Sequence, residues 1–279
     1  MNRFTTLLLS ALIFCLLTAS ASWSQEVNWK KVKVLVYTKN GKGYVHDNIP
    51  NAVLCIQKLG TQNGFAVDVS DQPAVFTEAN LRQYTLLVFT STNNDVFDTD
   101  QQRLSFRRYM EAGGGFVGIH SVMGTERNWT WFKRMLGGTF AWHPKFQKFN
   151  VEVLDSKNPS MQGLPKVWEK EDEFYFTKNM SPGPTVIMAN DLTTLKQDEP
   201  EKIKMFGAPF VDLYPSAWYY NFDGGYTWCT TLGHAKTDYV EDTTFIRHIF
   251  QGIRYVASQV KKIDFNKAYA DSRDTPIRY

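Results

Sequence analysis

Cysteine is scarce in this chain, and the few present are poorly placed for the chemistry cysteine usually serves. There are three, and Cys15 lies inside an N-terminal apolar stretch. Cys55 falls in an apolar helical run and Cys229 in an aromatic strand, so both read as buried free thiols rather than as a disulfide framework or a nucleophile. No Gly-x-Ser-x-Gly elbow occurs, which leaves a serine nucleophile unsupported. The five histidines include no His-x-His or His-x-x-x-His pair, so no compact metal motif is written into a single helix or strand. A dominant charge is missing too: 31 basic residues stand against 28 acidic ones with no long basic run, which argues against nucleic acid as a partner. No internal repeat or linker interrupts the chain after its first residues, so it reads as one domain.

The long apolar run of a membrane span is also lacking. In residues 1–24, Arg3 precedes an apolar core through Leu7-Leu8-Leu9 and Ala11-Leu12-Ile13-Phe14, and small residues Ala19-Ser20-Ala21-Ser22 follow. A basic start, a short apolar core and a small-residue site describe a signal peptide. Cleavage after Ala21 or Ser24 is expected, giving a periplasmic or secreted protein with no membrane span.

What is present is an alternation of short apolar runs with helical ones. Lys33-Val34-Leu35-Val36-Tyr37, Phe65-Ala66-Val67-Asp68-Val69 and Leu86-Leu87-Val88-Phe89-Thr90 read as strands. Val53, Leu54, Ile56 and Leu59 recur at helical spacing, and Thr99-Asp100 opens another helical run through Phe106, Tyr109 and Met110. The chain then turns on Gly113-Gly114-Gly115-Phe116-Val117-Gly118-Ile119-His120-Ser121: a glycine turn, a buried strand, and two polar residues at its carboxyl end. This order predicts an α/β fold with a mostly parallel sheet covered on both faces, whose ligands bind at the strands' carboxyl ends. Later, Asp191 to Phe210 reads as a surface excursion and Asp223-Gly224 as a hairpin turn. Thr243-Thr244 reads as a helix cap and residues 263–279 as a surface strap.

Three histidines, His46, His120 and His234, each follow a predicted strand. On one parallel sheet, with neighbouring strands about 4.8 Å apart, they converge within roughly 10 Å. Such a cluster serves either of two chemistries. Neutral imidazoles can ligate zinc or a similar divalent metal, or an imidazole can move protons beside a carboxylate. Asp172 and Glu173, next to Phe174 and Tyr175, are the best acids, because apolar surroundings raise a carboxyl's proton affinity. Asn93, Asn94 and His143 sit in loops able to hydrogen-bond a ligand. Tyr44, Trp142 and Trp218 offer rings on which the C–H faces of a sugar stack, and His248 reads as a surface or packing residue.

Several of these stretches occur together in a known family. Gly43-Tyr44-Val45-His46, the run from Tyr109 through Ser121, Leu136-Gly137-Gly138, His143-Pro144, Asp172-Glu173-Phe174-Tyr175, Ala217-Trp218 and Leu232-Gly233-His234 resemble the ThuA-like, or trehalose-utilisation, family from about Lys33 to Ala257. The resemblance implies a domain over residues 25–262 with a class I glutamine amidotransferase-like fold, a flavodoxin-like three-layer sandwich. In that superfamily the strand-to-helix elbow reads Gly-x-Cys-x-Gly, and His120 stands here in the cysteine's place. The glutamate expected two residues after the late histidine falls at Lys236, so glutamine hydrolysis is not implied. Two polar positions of the family also differ: its Asp-His-Pro reads Lys157-Asn158-Pro159, and a later His-Pro reads Tyr214-Pro215.

The expected function is therefore cleavage, by hydrolysis or elimination, of a glycoside or 3-keto-glycoside. His120 with Asp172 or Glu173 would move protons, and Tyr44, His46, Asn93, Asn94, Trp142, His143, Trp218 and His234 would bind the substrate. A keto group near the anomeric carbon acidifies a neighbouring C–H, so one base could start elimination without a nucleophile. His46, His120 and His234 are the candidate ligands if a divalent metal is bound, and no nucleotide cofactor is expected. The alternative is a non-catalytic carbohydrate-binding protein working through its aromatic loops.

Overall fold

The apolar runs become strands and the spaced ones helices, in a computed structural model that describes residues 26–208 and 210–278; the expected signal peptide and Cys15 lie outside the described residues. In chain order come β1 (Lys33–Tyr37), α1 (Ile49–Asn63), β2 (Ala66–Ser70), α2 (Glu78–Leu81), β3 (Leu86–Thr90), α3 (Asp100–Glu111) and β4 (Gly115–Ile119). Local chemistry sets their ends. Thr77 caps α2 through Asn80 N–H, Thr99 and Gln102 form a capping box on α3, and Gly64 closes α1 in the left-handed region.

After α4 (Thr130–Leu136) the chain forms β5 (Thr139–Trp142), β6 (Gln147–Val153), β7 (Val167–Asp172), β8 (Phe176–Lys178) and β9 (Thr185–Asp191). The short helix α5 (Pro200–Gly207), β10 (Leu213–Phe222), β11 (Gly225–Thr230) and α6 (Thr243–Gln259) complete it. Nine strands make one sheet in the order β2-β1-β3-β4-β11-β10-β9-β6-β7, while β5 and β8 pair separately. The first five run parallel and carry the site; the other four extend the sheet antiparallel.

The parallel strands β3 and β4 are buried at every residue, whereas β6 and β7 alternate, as strands with one solvated face must. Ile56 and Leu59 of α1 with Ile249 and Ile253 of α6 pack on one face against Val34, Val88 and Val117. Phe106 and Tyr109 of α3 with Phe132 and Met135 of α4 pack on the other against Leu35, Phe89 and Phe116. This is a three-layer α/β sandwich. Cys55 and Cys229 are both buried free thiols.

Two boundaries differ from the sequence expectation. Asp242, not the threonines after it, caps α6, because its carboxylate accepts from both Thr244 and Phe245 N–H. The excursion from Asp191 to Phe210 is not all loop: it contains α5, whose Phe206 stacks on Trp142 at 5.6 Å. The strap is held firmly, with Glu111 accepting from Tyr269 and Ala270 N–H and Trp129 donating to the Arg273 carbonyl.

Candidate functional site

The site begins with the turn out of β4. Gly118 has no room for a side chain, since a Cβ there would stand 2.9 Å from Val122 Cγ1 and 3.1 Å from Cys229 Sγ. The next turn therefore packs tightly on β11 and His120 is forced into the left-handed region, φ 56°. A non-glycine residue there costs about 1–3 kcal/mol and persists only where its surroundings hold it. Of the six non-glycine residues with positive φ among the described residues, Ser91, Asn94, His120 and Glu126 all lie just beyond β3 or β4. Backbone strain is concentrated at the carboxyl rim of the parallel strands.

The strand-end histidines meet there. His46 comes from the β1–α1 loop, His120 from the β4 turn and His234 from the loop after β11. The ring centroids are 4.7 Å apart for His46 and His120, 5.4 Å for His46 and His234, and 5.3 Å for His120 and His234. His120 Nδ1 lies 3.0 Å from the Thr231 carbonyl, which only accepts, so that nitrogen carries the proton and Nε2 offers a lone pair. Tyr175 Oη at 3.1 Å and His234 Nδ1 at 3.3 Å face that lone pair. His46 Nδ1 pairs with the Ser121 hydroxyl at 3.1 Å, and Ser121 also donates to the Thr92 carbonyl.

Glu173 closes the cluster. Its Oε2 is 3.1 Å from His234 Nδ1 and 3.6 Å from His120 Nε2, and its Oε1 is 3.4 Å from His143 Nε2. The His234 nitrogen is directed at His120, however, and Glu173 Oε2 is buried with no hydrogen-bond partner. Burial opposes charge on the imidazoles: it holds His120 well below the usual histidine range, and with the neighbouring His234 it brings His46 down to about 4. Burial also works against a charged His234, but Glu173 overrides it and raises that ring's proton affinity. Glu173 in turn is held below the usual carboxylate value, because His234 and His143 outweigh its own desolvation.

These groups stand at the wall and floor of a cleft of about 460 Å³, lined among others by Tyr44, His46, Asn93, His143, Glu173 and Tyr175. His120 has no exposed surface and lies behind Tyr175 and His234. Ser121, read with His120 as a polar pair at the strand end, lines the cleft, as do Arg127, Phe140 and Tyr175, which sequence reasoning missed as site residues. Only Tyr175 had a signal, its place beside the acids Asp172 and Glu173. A larger cleft of about 730 Å³ next to the strap is lined by Glu111 and Asp223, whose oxygens are already engaged by Arg107 and Tyr269.

Four expectations need correction. Trp142 stacks between Phe176 and Phe206, away from the cleft, because α5 covers it. Trp218 is fully buried and donates to the Leu136 carbonyl, so it offers no face to a sugar. Asp172 is fully buried and points away from the cleft: its oxygens accept from Glu173, Gly233 and His234 N–H, which makes it a positioning residue for the loop that presents His234. Asn94 supports the Gly41–Gly43 loop by donating to the Lys42 carbonyl rather than facing the cleft. His248 is buried in the interior, 3.0 Å from Thr230 Oγ1.

A three-layer sandwich whose polar cluster sits on a strained turn at the strand ends defines the class: a flavodoxin-like, glutamine amidotransferase-like α/β fold. The family model for ThuA, described as trehalose utilisation, matches residues 33–256, and the chain belongs to that family. It is similar in structure to a putative ThuA-like protein from Bacteroides uniformis, with TM-score 0.68 and 22% identity over 85% of this chain and 95% of that one. One from Parabacteroides merdae superposes with TM-score 0.63 at 15% identity, covering 86% of this chain and 99% of that one. A beta-galactosidase from Rahnella sp. R3 shares the fold over 83% of this chain and 32% of its own, with TM-score 0.53 and 14% identity. At these identities the likeness is one of fold. No curated protein matches the chain.

Proposed function

We propose that this ThuA-family chain cleaves a glycoside or 3-keto-glycoside, by hydrolysis or elimination, in the cleft between Tyr44 and Glu173. The supporting observation is Glu173, a buried carboxylate with one oxygen toward His143 and the other toward His234 and His120, beside the Tyr175 hydroxyl. A cleft of about 460 Å³ falls within the roughly 300–1,000 Å³ of small-molecule sites. In elimination from a 3-keto-glycoside, a base takes the proton from C2, the C1–C2 double bond forms, and the C1–O bond breaks as the departing oxygen takes a proton. Glu173 would take the first proton, and Tyr175, whose hydroxyl stands beside the histidine cluster, would supply the second. An N-terminal signal peptide would put this chemistry in the periplasm or outside the cell.

The test is a screen of glycosides and their 3-keto forms with the wild type and Glu173→Gln. The expected loss of turnover is about 10²- to 10⁴-fold, the range for removing a positioned acid or base, with sugar binding retained. Full turnover by Glu173→Gln on every active substrate would sink the proposal. Binding without turnover in the wild type would turn the reading to a carbohydrate-binding protein.

A further inference from the structure

We infer that His46, His120, His234 and Glu173 form a binding site for one divalent transition-metal ion of the zinc class. The inference concerns the resting protein and holds whatever substrate the cleft takes. One ligand atom from each of the four residues falls within 4.8 Å of the others. Bonds of about 2.0–2.1 Å at tetrahedral angles put neighbouring ligand atoms about 3.3–3.4 Å apart. Three edges of this cluster bracket that value: His120 Nε2 to His234 Nδ1 is 3.3 Å, His120 Nε2 to Glu173 Oε2 is 3.6 Å, and His234 Nδ1 to Glu173 Oε2 is 3.1 Å.

The second observation is the one an ion would explain. Glu173 is more than nine-tenths buried, yet its Oε2 has no hydrogen-bond partner and is aimed into the cluster. An unmatched buried polar atom is destabilising, more so when charged, unless something engages it. Outer partners already fix the rings as metal-binding histidines require. The Thr231 carbonyl takes the far nitrogen of His120, and the Ser121 hydroxyl takes Nδ1 of His46, leaving Nε2 as its unengaged atom. Asp172 fixes the backbone of both Glu173 and His234 from behind.

Three imidazoles and one carboxylate suit zinc and its neighbours. Magnesium and calcium, which take oxygen ligands, are poorly served. Glu173 would spend Oε2 on the ion and keep Oε1, which faces His143, for proton transfer.

The test is calorimetric titration of chelator-treated, refiltered protein with ZnCl2 and with MgCl2, alongside the visible spectrum of the protein loaded with Co2+. The expected result is saturable zinc binding at one ion per chain, a rise in Tm with zinc, no magnesium binding, and the intense visible bands of low-coordinate cobalt. His234→Ala and Glu173→Gln should each weaken zinc by more than the roughly 10- to 100-fold that loss of an outer partner costs, and Ser121→Ala by about that amount. Far-UV circular dichroism verifies that each variant is folded. No saturable zinc binding by the wild type, or unchanged affinity in folded His234→Ala and Glu173→Gln, overturns the inference. None of these readouts involves a sugar, so failure of the cleavage reading leaves them intact.

Discussion

Two buried polar clusters occupy opposite rims of the same parallel strands, and they are built on opposite terms. At the amino rim, Arg107 is wholly buried and every direction around it is filled. Glu111 meets it at 2.9 Å and Asp223 at 3.4 Å, the strap supplies the Arg273 and Thr275 carbonyls, and the rings of Trp131 and Tyr269 lie over the guanidinium. At the carboxyl rim, imidazoles and a carboxylate face one another across gaps, and Glu173 Oε2 is left without a donor. The first arrangement satisfies charges to hold the strap against α3; the second keeps lone pairs aimed at a common point. What separates a structural polar cluster from a candidate site here is not burial or charge but which atoms still lack partners.

The sharpest way to break that contrast is Arg107→Ala. Removing the cation leaves the Glu111 and Asp223 carboxylates buried with neutral donors but no opposite charge, and breaking a buried ion pair in this way costs about 3–5 kcal/mol. Urea unfolding should show that loss. Glu173→Gln, at the other rim, should stay within about 1 kcal/mol of wild type, because the oxygen it replaces is already unmatched. If Arg107→Ala is silent while Glu173→Gln unfolds the chain, the two rims have been assigned the wrong way round.

A smaller effect comes from acid. His248 of α6 is buried against Trp228 and Thr230 of β11, and burial brings it down to about 3. Its folded value is below the unfolded one of about 6.5, so as pH falls the unfolded chain takes up the proton first. The stability contribution is complete above about pH 6.5 and is lost as pH drops toward 3. At about 1.4 kcal/mol per pH unit, that is about 2 kcal/mol by pH 5. Unfolding of His248→Gln at pH 7 and pH 5 should lack that increment, and an unchanged pH slope would show that the buried ring is not neutral.

The two rims were not equally legible in the sequence. The carboxyl rim was readable because chemistry-bearing residues follow strands: His120 comes directly after its apolar run, His46 and His234 lie in the loops that leave theirs, and parallel pairing brings those strand ends together. The amino rim was not. Arg107 and Glu111 look like ordinary residues of an amphipathic helix, and their partners Asp223 and Tyr269 are more than a hundred residues away, in a hairpin and a strap with no periodicity. The tryptophans failed for a related reason. Trp142 and Trp218 sit beside site motifs in the text, but α5 packs over the first and the end of α4 covers the second, and neither event leaves a local trace. Asp172 was legible as an important acid but not in its role, since only the fold turns its oxygens onto the N–H groups of the His234 loop.

The last test asks whether an aromatic ring at each rim serves a different end. At the amino rim Trp131 and Tyr269 lie over the Arg107 guanidinium and help hold it in place. Tyr44 at the carboxyl rim is 62% exposed and meets His46 edge-on at 4.8 Å, which leaves its outer face open over the cleft. A ring in that position contributes through contact with bound substrate, about 0.5–1.5 kcal/mol for an aromatic contact, and takes no part in moving protons. Tyr44→Ala should therefore raise KM for an active glycoside by up to about tenfold while kcat stays level, because contact equal in ground and transition states is lost from both. Its Tm should be that of wild type, since little of the ring is buried. A fall in kcat at constant KM would instead place Tyr44 among the proton-handling groups, and no change in either would confine substrate to the Glu173 side of the cleft.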